Sequence, residues 1–175
     1  MTDDFVAERG QVSSDESSIF GDIDLREDTE VAKVRGAPHS VAAEQAVIGG
    51  LLLNNAAWDD ASELVSAQDF YLKEHRDIFQ VMDQLAGESE PMDALTLAAG
   101  LESLGLGGDD LTSYLIDLSR NTPSAANIKA YAKIVRERAV LRDLIQMSQK
   151  IADAAYNPEG RDATDIVDEA ERLIF

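Results

Sequence analysis

Between Pro123 and Pro158 the chain contains neither proline nor glycine. From Ala125 to Tyr156, about 30 residues can therefore run as one helix, on the order of 45 Å long at 1.5 Å per residue. A helix of that length outreaches the core of a small domain, so something else must cover part of it. The stretch Asn157-Pro158-Glu159-Gly160 turns the chain, and Asp162 is placed to cap a returning helix. In that helix Ile166, Val167, Ala170, Leu173 and Ile174 recur at i, i+1, i+4, i+7 and i+8, the spacing of one apolar face. Residues 124–175 thus form a helical hairpin. Its long arm carries two apolar rows, Val140, Leu144, Met147 and Ile151 beside Tyr131, Ile134, Leu141 and Ile145. One short returning helix covers only part of so wide an arc. The preceding residues can pack on the N-terminal half, but the distal half calls for a second partner, another copy of the hairpin in preference to a second protein. Ile134, Leu141, Leu144, Ile145 and Ile151 are the expected dimer interface.

The segment before the hairpin, residues 37–123, is helical in pattern nearly throughout. Ser40 is a suitable N-cap for a helix over Val41–Leu53 with Val47, Ile48, Leu51 and Leu52 on its apolar face. Asn54-Asn55 ends it, and Asn55 can cap a second helix carrying Trp58, Leu64 and Val65. A third over Lys73–Leu85 places Ile78, Phe79, Met82 and Leu85 together. Asp93 caps a fourth over Ala94–Leu104, the glycines from Gly105 to Gly108 break the chain, and Asp110–Arg120 is a fifth. No alternating β-branched segment reads as a strand. With 45% hydrophobic but only 6% aromatic residues, the composition favours helices packed on helices. The fold class is all-α: a small helical bundle head of about five helices, then the hairpin. Residues 1–36, with ten acidic and four basic side chains and no sustained period, read as a disordered acidic tail.

The charge excludes several functions. Against 34 acidic residues stand 15 basic ones, a net charge of −19, which opposes broad contact with phosphate backbones; direct nucleic-acid binding is not expected. Without cysteine there is no disulfide framework or thiolate metal site. No apolar run approaches the roughly 20 residues that span a bilayer, and MTDDFVAERG lacks the features of a secretory leader, so no membrane association and a cytoplasmic location are expected. None of the five lysines follows a glycine, so the phosphate-binding loop of an ATPase is missing and no catalytic, metal or cofactor-binding residue is assigned. In Glu74-His75-Arg76-Asp77 the helix puts Glu74 and Asp77 side by side and His75 on another bearing, where a surface or capping role is expected. Asp59-Asp60 and Asp109-Asp110 suit helix N-termini. A hydrolase working through these carboxylates lacks any assembled nucleophile or base. The one basic region, Lys129, Lys133, Arg136, Arg138, Arg142 and Lys150, is either a solvated face or a contact for an acidic protein surface.

Several stretches resemble one family. Pro38-His39-Ser40 followed by Ala43-Glu44-Gln45-Ala46-Val47-Ile48-Gly49-Gly50-Leu51-Leu52 is similar to the opening of DnaB-type replicative DNA helicases. Asp69-Phe70-Tyr71, His75-Arg76-Asp77-Ile78-Phe79, Leu95-Thr96-Leu97 and Asn121 to Ile128 followed by Tyr131 to Ala139 continue the resemblance in order to Phe175. One departure is that the family usually has a Gly-Gly pair close before the Tyr-Leu of the fifth helix, whereas Gly107-Gly108 here sits further upstream and Asp110-Leu111 occupies that place. The resemblance implies the N-terminal, non-catalytic domain of a hexameric helicase that unwinds duplex DNA 5′ to 3′ at the replication fork. ATP and magnesium would belong to a RecA-like C-terminal domain beyond Phe175, absent from this chain. It implies homo-oligomers built through the hairpin and docking of primase. For primase the expected contacts are Ile128, Lys129, Tyr131, Lys133 and Arg136, where Tyr131 offers an apolar body with a polar tip and the bases would steer an acidic patch. A helicase-binding adapter domain of the primase type is the alternative, and the Pro38–Gly50 signature at the N-terminus argues against it.

Overall fold

A computed structural model of the protein describes residues 36–122 and 124–174. The tail expected over residues 1–36 lies, Gly36 apart, outside the described residues. The compact unit that begins at Ala37 contains, among the described residues, seven α-helices and no strand. They are α1 (Val41–Leu53), α2 (Trp58–Ser62), α3 (Lys73–Gly87), α4 (Ala94–Ser103), α5 (Asp109–Asn121), α6 (Ile128–Tyr156) and α7 (Ala163–Ile174), with one-turn 3-10 helices at Asn55–Ala57 and Ala67–Asp69. The all-α reading holds.

Helix α1 is the axle of the head. It packs on α3, α5 and α6, and its Val47, Ile48 and Leu51 are wholly shielded from solvent. Two glycines let its neighbours come that close. A Cβ on Gly49 would sit 1.9 Å from Thr122 Oγ1 and 2.9 Å from the Leu118 carbonyl, and one on Gly50 would touch Ile128 Cδ1 at 3.4 Å. The end of α5 and the start of α6 therefore lie directly on the α1 backbone.

Local chemistry sets the ends of the helices. The Ser40 hydroxyl accepts from the Ala43 amide, and Asp93 caps α4 in a reciprocal box with Thr96. One expected cap and one expected helix start differ. Asn54, not Asn55, caps the turn after α1; the Asn55 side chain instead donates to the Leu51 and Met92 carbonyls and accepts from the Met92 amide. That clasp anchors the α3–α4 loop, and the second helix stops at Ser62, short of Leu64 and Val65. The Ser124 hydroxyl accepts from the Ala126 amide, so its turn precedes the long helix, which begins at Ile128 rather than Ala125.

Helix α6 joins the two parts of the fold. Its buried residues, Ile128, Ala132, Val135 and Ala139, all lie in its first half and pack on the head. Beyond them it meets α7, which has no buried residue of its own. The returning turn holds Glu159 and Gly160 at positive φ, and Asp162 caps α7 by accepting from the Asp165 amide.

The tightness of the α1–α5 crossing is testable by comparing two Gly→Ala exchanges. Gly49→Ala forces overpacking against fixed backbone and is expected to lower stability by about 1–3 kcal/mol. Gly87→Ala, where a Cβ would meet nothing within 4 Å at the end of α3, is expected to be neutral or to stabilise by up to about 1 kcal/mol. Thermal or urea melts followed by circular dichroism check both signs.

Candidate functional site

Three surfaces of the folded unit have the chemistry to bind. The first is the junction between head and hairpin. Asp69, buried at the end of its 3-10 turn, accepts from the Ser66 amide (2.7 Å) and hydroxyl (3.1 Å), which fixes its carboxylate. Arg136 Nη1 on α6 then donates to its Oδ1 at 2.6 Å. One helical span later, Arg142 donates to the carbonyls of Asp69 (2.5 Å) and Pro38 (2.9 Å). The same guanidinium lies 5.7 Å from the centre of the Tyr71 ring, which is itself stacked on His39 at 4.2 Å. Lys129 pairs with Asp60 at 2.9 Å, with both side chains exposed, so this pair adds little stability.

The expected docking residues lie at this junction. Ile128 is buried over Gly50 and unavailable to a partner. Lys129, Arg136 and Arg142 are turned to acids and carbonyls of the head, because a helix crossing that surface presents its bases to the acids beneath it. Lys133 is exposed and has no ion-pair partner among the described residues. Tyr131 is half-buried, packed on the core and open to a cavity described below.

The second surface is the outer face of the hairpin. Ile134, Val140, Leu141, Leu144 and Ile145 are each between 36% and 52% exposed, and Val167 and Ile174 on α7 are more open still. Ile151 is half-buried. No isolated soluble unit gains by leaving such a row in water.

The third is a furrow along α5. Two cavities, of about 290 and 560 Å³, share Gln45 and Tyr114 as walls. Tyr131, Asn121 and Asp117 line the smaller, and Leu106, Leu111, Asp110 and Glu74 the larger; no lysine or arginine lines either. Behind the furrow lies a buried polar chain. Glu44, 1% exposed, accepts from the Tyr71 amide (2.7 Å) and the Leu72 amide (3.4 Å) and is bonded to His75 Nδ1 (2.7 Å). His75 Nε2 meets the Tyr114 hydroxyl at 2.6 Å, and Gln45 Nε2 donates to the same oxygen at 3.1 Å. Burial alone would push the Glu44 carboxyl up, but the hydrogen bonds from His75 and from the Tyr71 and Leu72 amides outweigh it and hold the carboxyl below its ordinary value. Burial, reinforced by the charges of Glu44 and Glu74, raises the Tyr114 hydroxyl against the opposing Gln45 bond.

His75 is thus not the surface or capping residue expected from its sequence. The signal that locates it is its spacing: His75, Ile78, Phe79 and Met82 fall at i, i+3, i+4 and i+7, and so do Glu44, Val47, Ile48 and Leu51. An ionisable group on each apolar stripe implies a buried partner, though nothing in the sequence pairs positions 31 apart.

Removing one partner of this pair is expected to be severe. Glu44→Ala leaves buried donors unsatisfied and should cost about 3–5 kcal/mol, measured by denaturant melts of folded variants. Because the native carboxyl is depressed, the stability that Glu44 contributes is complete above its ordinary value of 4.5 and is lost as pH falls through that value toward the lower native one. In a melt series from pH 7 to pH 3, Glu44→Gln is expected to flatten that loss, and an unchanged acid limb refutes the assignment.

Comparison with known proteins agrees with this architecture. The profile described as the DnaB-like helicase N-terminal domain matches residues 36–137. The replicative DNA helicase DnaB of Haemophilus influenzae is 48% identical over 150 residues, covering 85% of this chain and 32% of that protein. That of Geobacillus stearothermophilus is 41% identical over 152 residues, covering 84% of this chain and 32% of its own. The chain therefore spans about a third of the length of these curated relatives. Among solved structures, the N-terminal domain of DnaB helicase from Mycobacterium tuberculosis superposes with a TM-score of 0.73 at 38% identity, over 78% of this chain and 96% of that one. The Helicobacter pylori domain, described together with its interactions with primase, shares the fold at TM-score 0.58 and 18% identity, over 76% of this chain and 98% of that one. The length of the match, in sequence and in fold, makes this chain a member of the DnaB-like helicase N-terminal domain family.

Proposed function

We propose that this chain is the protein-binding module of a replicative DNA helicase: copies associate through their hairpins, contributing to a ring, and the head docks primase. The observation that carries this reading is the exposed apolar row from Ile134 to Ile145 on a helix whose first half is already packed. Its relatives are named as replicative helicases, and a neighbour in fold is described with primase. In this reading ATP hydrolysis and 5′ to 3′ unwinding, with ATP and magnesium, belong to a RecA-like domain joined to the C-terminal side, and this segment has neither activity. Nucleotide-dependent phosphate release by this chain, above a buffer control, contradicts the last point.

Primase docking is better placed in the α5 furrow than on the basic stripe. Tyr131 forms one wall, and two of the three stripe bases are held by Asp60 and Asp69. Glu74, Asp110 and Asp117 at its rim attract a basic segment of the partner.

Two measurements separate the surfaces. Each of Leu141 and Ile145 contributes about 1.5–3 kcal/mol if fully buried. Leu141→Asp with Ile145→Asp is therefore expected to weaken self-association by at least about a hundredfold in sedimentation while the helical circular dichroism persists. Asp117→Lys is expected to leave self-association intact and to weaken binding of primase's C-terminal domain by about three- to tenfold, with a shallower salt dependence. Unchanged affinity in Asp117→Lys removes primase from the furrow.

A further inference from the structure

Tyr114 is the wall common to both cavities of the furrow, and its hydroxyl is bound from behind. His75 Nε2 lies 2.6 Å from it and Gln45 Nε2 3.1 Å. On the other side of the imidazole, Nδ1 is 2.7 Å from Glu44 Oε2, and Glu44 also accepts from the Tyr71 and Leu72 amides. A carboxylate that already accepts backbone hydrogen bonds offers only lone pairs. A ring nitrogen 2.7 Å from it must bring the proton, so the hydrogen sits on His75 Nδ1.

We propose that Glu44 and His75 are positioning residues for the docking furrow, fixing the Tyr114 hydroxyl so that it faces a partner as an acceptor only. With its proton on Nδ1, the singly protonated ring presents a bare Nε2, and the Tyr114 O–H must donate inward to it. The Tyr114 oxygen in turn accepts from Gln45. One anion thereby orients the whole chain: Gln45 to Tyr114, Tyr114 to His75, His75 to Glu44. At the surface Tyr114 offers an aromatic ring and an oxygen, with no donor, between the carboxylates of Asp110 and Asp117. Such a furrow selects lysine or arginine side chains and rejects carbonyl-rich or acidic segments. The selection role rests on the docking reading above; the direction of the hydrogen-bond chain does not.

Long-range proton–nitrogen correlation spectra of the full chain at neutral pH test the direction first, with His39→Gln identifying the His75 ring. The expected result is a protonated Nδ1 and an unprotonated Nε2, and a mixture of the two forms in Glu44→Gln. A ring protonated at Nε2, alone or at both nitrogens, overturns the proposal. Binding of primase's C-terminal domain tests the consequence. Glu44→Gln frees the Tyr114 hydroxyl and is expected to weaken binding about tenfold, at temperatures where circular dichroism shows it folded. His75→Gln, whose amide carries no fixed direction, is expected to do the same and serves if Glu44→Gln does not fold. Adding Tyr114→Phe to either variant deletes the freed hydroxyl and is expected to restore most of the affinity, which a merely structural role does not predict. Failure of that rescue overturns the selection role, and so does binding in the parent that ignores Asp117→Lys; in the latter case the spectra still decide the direction of the chain.

Discussion

The Glu44 carboxylate is satisfied from two segments at once, the loop before α3 and α3 itself through His75, and the imidazole in turn ties in α5 through Tyr114. A charge this deeply buried is tolerable only when its bonds are complete, and among the described residues no buried side-chain nitrogen or oxygen lacks a partner. Completing them constrains everything near it. The loop must bend so that the Tyr71 and Leu72 amides point at α1. That bend sets Asp69 and Tyr71 at the edge of the head, facing α6. Arg136 and Arg142 find them there, one through the Asp69 carboxylate and the other through its carbonyl and the Tyr71 ring. The direction in which the hairpin leaves the head therefore follows, through two steps, from a polar contact in the core.

The electrostatics of the unit follow from the same packing. Its few bases lie mostly on one helix, and that helix crosses the acids of Asp60 and Asp69. Two of the three stripe bases, Lys129 and Arg136, are paired with these acids, while Lys133 has no ion-pair partner among the described residues. What stays open is acidic along α5 and apolar along the hairpin. These two surfaces differ in the physics of association. The apolar one gains by burial and is indifferent to salt, whereas the acid-rimmed furrow gains by complementary charge and weakens as salt is added.

How much of this was legible beforehand depends on whether the information is local. The run without proline or glycine after Pro123 determined the long helix, and Asn157 to Gly160 with the Asp162 cap determined its return, because both rest on backbone geometry within a few residues. Apolar spacing placed the faces of α1, α3 and α5 and the exposed row on the hairpin. The cap at Asn55 was placed wrongly because that side chain had a competing partner 37 residues away at Met92.

By itself, then, the sequence determined the all-helical class, the head and hairpin, the missing phosphate loop and the family, all carried by periodicity, local capping chemistry or contiguous motifs. Only the tertiary structure decided which polar residues meet. Glu44 and His75 lie on different helices, Asp69 and Arg136 are 67 positions apart, and Lys129 reaches Asp60 from the far end of the head. No period along the chain encodes such pairs. They exist because Gly49 and Gly50 let α5 and α6 close onto α1, and that approach brings distant side chains within hydrogen-bonding range.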